Sequence, residues 1–360
     1  MTHSLASTAA KEQPSMALPS QLQRIAAPSP SSTGSVLESK VHSLAAIWAR
    51  KYVISVTSKE TTEHLKTSDN LATINSKEGR TQTASKLIKH LTLASAQAWS
   101  TTEMLLSEEM ERHDIDPSLI DPWQIAADSH NLFKKSLDAY AERITPRRLS
   151  VVVGNDFGRV RRKYTAQDPR AIGFVSMQFH YTGKMLLEKL PSTERSLLEP
   201  YFKVMDDHMY MPLRDAYKAA AEHDLGSPVL AAVQALLPVS TKIAHAVCTQ
   251  VGRSNPGYES YSGLLNSSPV RVSSIRDVEM FQVYLCLCIL EDSIRSVQQE
   301  LFPLCVMLYP RLNVSWKLVQ DMLQTLGWEM HDRLAPDHLA LFLPYLRTLS
   351  EMFSVEVFQN

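Results

Sequence analysis

The sequence predicts an all-α fold, and three observations carry that prediction. Glycine is scarce, 11 in 360 residues or about 3% against a usual ~7%, which disfavours turn-dense β sandwiches and phosphate-cradling loops. Apolar residues, 44% of the chain, recur at three- and four-residue spacing rather than in strict alternation. Pro212, Pro228, Pro256, Pro269, Pro310 and Pro336 fall between those runs, where proline ends one helix or opens the next. The length suits about two domains at roughly 150 residues each.

Taken in order, residues 1–38 are rich in Ser, Ala, Pro and Gln and read as a disordered leader, because they lack the apolar content to order a backbone. Leu44, Ile47, Trp48 and Tyr52 place a first helix over about 41–56, and the polar stretch 57–82 reads as a loop or weak helix. Leu87, Leu91, Ala94, Ala98, Leu105 and Leu106 form the apolar face of a helix over about 83–112. DIDPSLIDPW at 114–123 is a connection, and a third helix follows over about 123–142. Segment 143–170 stands apart: eight Arg and Lys face only Asp156 and Asp168, and SVVV could be a short strand, although a β-branched run of three does not make a sheet. From Ala171 the helical pattern resumes. Ser192 is the expected N-cap of a helix over 193–209, followed by helices at 212–223, 228–251, 273–292, 295–309, 314–331 and 337–354. No repeat of fixed period is evident.

With 37 Lys and Arg against 38 Asp and Glu, the formal charge is −1, so no global attraction to nucleic acid or an anionic membrane is expected. No run of 18 uncharged apolar residues occurs, which argues against membrane insertion. The N-terminus lacks a basic stretch followed by an apolar core, so no signal peptide is expected. Cys248, Cys286, Cys288 and Cys305 lie in apolar surroundings without CxxC spacing and read as buried reduced thiols of a cytoplasmic protein.

Signatures of nucleotide binding and hydrolysis are missing: there is no GxxxxGK[ST], GxGxxG or GxSxG. HExxH and paired CxxC are missing as well. His208 follows Asp206 and Asp207, but no second His lies at i+4, which favours a solvated helix end over a metal ligand. His331 and His338 read as a helix junction. Nothing marks an interior histidine such as His245 as a heme ligand. The basic run over 143–163 is interleaved with Phe157 and Tyr164, as in nucleic-acid binders. SVVVGNDFG breaks it and the remaining chain offsets its charge, which favours a solvated or protein-docking face.

The most informative segment is VRVSSIRDVEMFQVYLCLCILED, residues 270–292. On a helix, Ser274, Asp277, Phe281, Tyr284 and Cys288 fall on one stripe, with Arg271 near its start and Arg276 beside Asp277. A carboxylate on an apolar stripe needs a partner. Taken alone, the stripe favours Asp277 as a cap or a surface partner of a neighbouring Arg.

This helix resembles the chromophore helix of the phycobiliproteins, the globin-like light-harvesting subunits of cyanobacterial phycobilisomes. In that family a Cys-x-Arg-Asp motif carries the thioether to a linear tetrapyrrole, the Asp bridges pyrrole N–H groups and arginines bind propionates. Ser274-Ile275-Arg276-Asp277 is similar, with Ser in place of Cys. Leu290-Glu291-Asp292 resembles the family's Ala-Gly-Asp turn, and Leu312-Asn313-Val314-Ser315-Trp316 its Leu-x-x-Ser-Trp segment. HAVCTQVGRSNPGY at 245–258 resembles the helix end and loop before the pigment site. The similar stretch spans roughly 193–355.

The resemblance implies a globin-like domain at 191–360, preceded by a helical extension at 39–190 that carries the basic segment. The pigment pocket it implies comprises Arg271, Ser274, Arg276, Asp277, Phe281, Tyr284 and Trp316. A serine hydroxyl is neither soft nor acidic enough to form the thioether. Cys286 and Cys288 lie roughly 18–21 Å further along a helix at ~1.5 Å per residue. Met280, Phe281 and Val283 stand where the family tends to carry an aromatic pair and an Arg. No covalent bilin is therefore expected, while a non-covalent one remains open, and Phe281, Tyr284, Trp316 and Trp328 suit a packed core. The function so implied is non-enzymatic: antenna assembly, attachment or regulation, with phycobilisome subunits or linkers as partners, a homo-oligomer open, and residence in the cytoplasm or at the thylakoid periphery. The alternative is a sensor or carrier that holds bilin or heme reversibly. An enzyme such as a bilin lyase lacks a nucleophile–base pair.

Overall fold

A computed structural model describes residues 44–54 and 71–358. It is all-α, 81% helix and 1% strand. The expected leader lies outside the described residues.

The chain begins with a helical stretch at 44–49 and α1 (Lys51–Ile54), then α2 (Leu71–Ile74) and α3 (Lys77–Arg112). There follow α4 (Pro122–Ala141), α5 (Pro146–Thr165), α6 (Ala171–Leu187), α7 (Ser192–Tyr210) and α8 (Leu213–Ala221). The remainder comprises α9 (Pro228–Leu236), α10 (Ser240–Ser254), α11 (Ser268–Glu291), α12 (Phe302–Arg311), α13 (Trp316–His331) and α14 (Pro336–Met352). A two-stranded antiparallel hairpin, Glu259–Ser260 with Gly263–Leu264, joins α10 to α11.

Side-chain caps set several helix starts. Ser76 accepts from Gly79 N at 3.1 Å and caps α3, which starts at Lys77, six residues before the expected Thr83. Asp121 accepts from Trp123 N at 2.9 Å, and Ser315 from Leu318 N at 3.2 Å. Ser192, in contrast, is the first residue of α7 and caps nothing; Pro191 holds the N-cap position. Pro238 interrupts the expected helix 228–251, and a 3-10 turn at Leu237–Val239 separates α9 from α10. The expected helix 295–309 opens as a π-helical stretch, Val297–Leu301.

The basic segment is helical across the stretch where the sequence leaves a short strand as one alternative. Residues 146–165 form α5, not a strand, with Thr145 accepting from Arg148 N at 3.3 Å. Leu149, Val153, Phe157 and Tyr164 recur at helical spacing and all are buried. Packing of that stripe against α7, α8 and α6 outweighs the weak helix propensity of a Val run.

α3 packs along α6 and α4, while α5 lies against α7, α8 and α6. α11 occupies the centre of the C-terminal half, with α8, α9, α10 and α14 around it. Every residue from Val278 to Leu290 is therefore buried, so α11 has no solvent side there. One continuous apolar core runs from Leu44 to Phe353. The helix break at 188–191 does not interrupt it. Residues Pro228–Ser254, with a mean hydropathy of 1.3, are long and apolar enough by composition to cross a membrane. Here Leu236, Ile243, Ala244 and Val247 of that run lie inside the protein core.

Candidate functional site

The predicted pocket residues do not converge on one cleft. Ser274 lies half-buried at the end of the second turn of α11, and its hydroxyl donates to Val270 O at 2.9 Å. Arg271 turns toward α10, where Nη2 donates to Thr249 Oγ1 at 2.9 Å. Phe281 is fully buried and meets Phe353 edge-on at 5.8 Å, and half-buried Trp316 approaches the same ring at 6.0 Å. Tyr284 donates to Glu300 Oε1 at 2.6 Å and accepts from Arg161 Nη2 at 3.0 Å. Trp328, expected in the core, is 69% exposed. Its position on α13 faces away from the helices that pack there.

Two of the predicted residues do come together with groups from other helices. Arg276 donates from Nη1 to Asp206 Oδ2 at 2.7 Å, and its guanidinium lies 4.0 Å from the centre of the Tyr210 ring. Its Nε is 3.9 Å from Asp277 Oδ1. Tyr210 donates to the Asp277 carboxylate, and His180 Nδ1 lies 3.9 Å from Asp206 Oδ2. Burial pushes the Asp277 carboxyl up to about 6, against the opposing pull of Arg276. Asp206 is in the reverse position: burial would raise it, but Arg276 and His180 hold it well below the usual range. Asp206 Oδ1, Asp277 Oδ1 and Arg276 Nε have no hydrogen-bond partner. Asp277 is thus an interior acid, not a surface cap.

Immediately beside this group lies a buried cluster that sequence reasoning missed. Lys51 Nζ is 3.0 Å from Asp207 Oδ2 and 2.7 Å from Glu279 Oε2, and Lys203 Nζ approaches the same two carboxylates at 3.1 and 3.5 Å. Tyr52 donates to Asp207 Oδ2 at 2.9 Å, Thr241 to Glu279 Oε1 at 2.6 Å, and the Trp48 ring lies 3.8 Å from Lys51 Nζ. Burial would raise both carboxyls, but Lys203 and Lys51 hold them below their ordinary values. The neighbouring His208 is buried, not at a solvated helix end. Its Nδ1 donates to Val204 O at 2.8 Å, so Nε2 is the acceptor toward Ser150 Oγ at 3.4 Å. Burial brings it down to about 4.

Arg161 completes the interior set from α5. It is 2% exposed, donates from Nη1 to Met209 O at 2.8 Å and to Tyr210 O at 3.3 Å, and pairs with Glu300. The contacts of Lys51, Arg161 and Arg276 with Asp206, Asp207, Glu279 and Glu300 join distant parts of the chain, and each cation is opposed by a carboxylate. Such a network orients helices; its hydroxyl–imidazole contact, Ser150 with His208, is sealed in the interior, the two residues being 1% and 3% exposed.

The other histidines singled out in the sequence lie apart from this cluster. His245 is exposed on α10, and His331 and His338 sit at the junction of α13 and α14. Among the described residues no group of three or more His, Cys, Asp or Glu is arranged to hold a metal.

The surface feature with most chemical content lies between α5 and α8. Asn155, Gly158, Arg159, Arg162, Lys163, Arg214 and Lys218 line a groove of about 550 Å³. Helical spacing puts the α5 residues on one face, and Arg214 and Lys218 are four apart on α8. Gly158 permits the close crossing: a Cβ there would stand 2.6 Å from both Cβ and Cγ of Arg214. The nearest carboxylates hold the cations from the flanks. Asp156 pairs with Arg159 at 3.2 Å, Asp215 with Arg162 at 2.8 Å and Asp128 with Lys163 at 2.7 Å.

Neither protein-family models, curated proteins nor solved structures give a match to this chain. The site is therefore read from its own chemistry.

Two further segments singled out in the sequence do meet in space. The Tyr258 hydroxyl donates to Asn313 O at 2.9 Å and accepts from Ser315 N at 2.7 Å, which ties the NPGY loop to the start of α13. Asp292, in the Leu-Glu-Asp turn, closes α11 in a left-handed conformation and accepts from the Tyr345 hydroxyl at 2.7 Å.

Proposed function

We propose that this is a non-enzymatic docking protein that recognises an acidic partner protein through the α5–α8 groove. One observation carries the reading: five cationic side chains, Arg159, Arg162, Lys163, Arg214 and Lys218, line a single groove in a chain with a net charge of −1. A near-neutral protein has no general pull on polyanions, so cations gathered in one concavity give a directed local field. Across an interface such charge sets encounter rate and register more than affinity.

The interior charges support a structural role, because they are consumed in pairing helices. The Ser274 hydroxyl is committed to Val270 O and cannot make a thioether, which supports a chain without covalent bilin. Phycobilisome subunits or linkers are the partner class that the sequence resemblance favours, with the protein working in antenna assembly, attachment or regulation in the cytoplasm or at the thylakoid periphery.

The test is co-sedimentation of the full chain with phycobilisome core particles across a salt series. Binding is expected at about 0.05 M salt and should be largely lost by about 0.5 M, where the Debye length falls to a few ångströms. Reversing Arg159 and Arg162 to Glu should abolish it. Salt-independent binding, or no binding at low salt, would count against this partner.

A further inference from the structure

We infer that the α5–α8 groove is also a polyphosphate site, and that a soluble polyphosphate occupying it competes with the acidic partner. This inference rests on the reading of α5–α8 as a binding face.

The donor set is the first argument. Arg159, Arg162 and Arg214 present planar guanidinium forks, Lys163 and Lys218 present ammonium groups, and Asn155 adds a neutral amide, with no carboxylate in the lining. Guanidinium forks match phosphate oxygens in bidentate fashion, and lysine serves beside them as a point charge.

Charge density is the second. Each of Arg159, Arg162 and Lys163 already has a flanking carboxylate, at 3.2, 2.8 and 2.7 Å. A single isolated carboxylate entering the groove would therefore gain little by exchange, whereas several on one acidic partner face act together. A chain of phosphates brings several charges on closely spaced oxygens and engages guanidinium N–H groups that the flanking Asp leaves unused. Arg159 uses only Nη2 toward Asp156, and Arg162 only Nη2 toward Asp215.

Shape is the third. The Gly158 crossing holds the Arg214 stem against α5, so cations from two helices face one space of about 550 Å³. That volume lies within the ~300–1,000 Å³ range of small-molecule sites. The α5 backbone is fixed from behind by Phe157 and Arg161, both buried, so the cations project from a rigid helix.

Isothermal titration of the full chain with inorganic tripolyphosphate at about 0.1 M salt tests the inference, with citrate at matched ionic strength as comparator. Tripolyphosphate is expected to bind at least about tenfold more tightly than citrate, and Arg159→Ala with Arg162→Ala to weaken it by about tenfold or more. Both side chains are exposed, 78% and 52%, so the doubly substituted protein should keep its helical circular dichroism and unfolding midpoint. A parallel titration with adenosine triphosphate separates a free polyphosphate from one borne on a nucleotide: equal affinity assigns recognition to the phosphates alone, and tighter binding adds a nucleoside contact. Equal affinity for citrate and tripolyphosphate, unchanged affinity in the double variant, or no binding of tripolyphosphate would overturn the proposal. Partner binding that still depends on Arg159 and Arg162 while tripolyphosphate fails would leave the docking reading intact. Tripolyphosphate binding without partner binding would do the reverse.

Discussion

Lys51 Nζ lies 3.0 Å from Asp207 Oδ2, with 6% and 0% of the two side chains exposed, and this pair fixes the N-terminal helical stretch to α7. The two residues are 156 positions apart in the sequence numbering, and the same ammonium reaches Glu279 of α11 at 2.7 Å. Burying one lysine between two carboxylates is tolerable because Lys203 supplies the second positive charge. The cluster is balanced only when the first helix is in place. Breaking a buried pair strands a charge, and that loss exceeds the net worth of the pair itself.

Lys51→Met should therefore destabilise the protein by about 3 kcal/mol or more, measured by urea denaturation. Adding Glu279→Gln to that variant should recover part of the loss, since two carboxylates no longer compete for Lys203. Equal stabilities of wild type and Lys51→Met would contradict the account.

Asp277 predicts a pH signature with a definite sign. Its folded pKa of about 6 lies above the unfolded value of ~3.9, so the folded state favours the protonated form. That advantage is full below pH ~4 and is lost as pH rises through about 6. Relative to wild type, Asp277→Asn should gain stability by on the order of 2 kcal/mol between pH 4 and pH 7. Urea titrations of both proteins across that window check it, and a flat difference would refute it.

Acid should act through the neighbouring groups in the opposite direction. Asp207 and Glu279 are held below their ordinary values, so their contribution is present above pH ~4 and lost on further acidification. His208, brought down to about 4, adds stability above pH ~6.5 that fades as pH falls toward 4. His208→Gln should flatten the wild-type fall between pH 6.5 and 4, as read by thermal unfolding midpoints.

Arg161 joins α5 to the end of α7 and to α11. Arg161→Met leaves two backbone carbonyls without this donor and Glu300 without its counter-charge, and should cost about 3 kcal/mol in chemical denaturation. Arg159→Met on the exposed side of the same helix should cost under about 0.5 kcal/mol.

The four cysteines should be inert in the folded protein. Burial pushes Cys248 up to about 12 and Cys288 up to about 11, and raises Cys286 and Cys305 further. Since the thiolate is the reacting species, a disulfide reagent at pH 8 should label them slowly until denaturant is added. Rapid labelling of any one in native buffer would show that its helix opens.

The amino-acid sequence by itself determined the helices and most of their ends. The spacing of Leu87, Leu91, Ala94 and Ala98 already describes the buried face of α3, and Ser315 already marks the cap of α13. It also carried the stripe of α5, Leu149, Val153, Phe157 and Tyr164, although three consecutive valines and two glycines obscured it. What spacing along one helix cannot encode is which other helices close over it. Only the tertiary structure decided that α11 is covered on every side from Val278 to Leu290, so that Glu279 lies in the interior and Ser274, five residues before it, at the half-buried end. Only the packing of the first helix onto α7 made an acceptor pair of Asp207 and Glu279, and only the crossing at Gly158 brought Arg214 and Lys218 opposite Arg159 and Arg162. The reason is electrostatic: a charge's energy depends on the water it loses and the partner it gains, and both are supplied by residues far away in the chain.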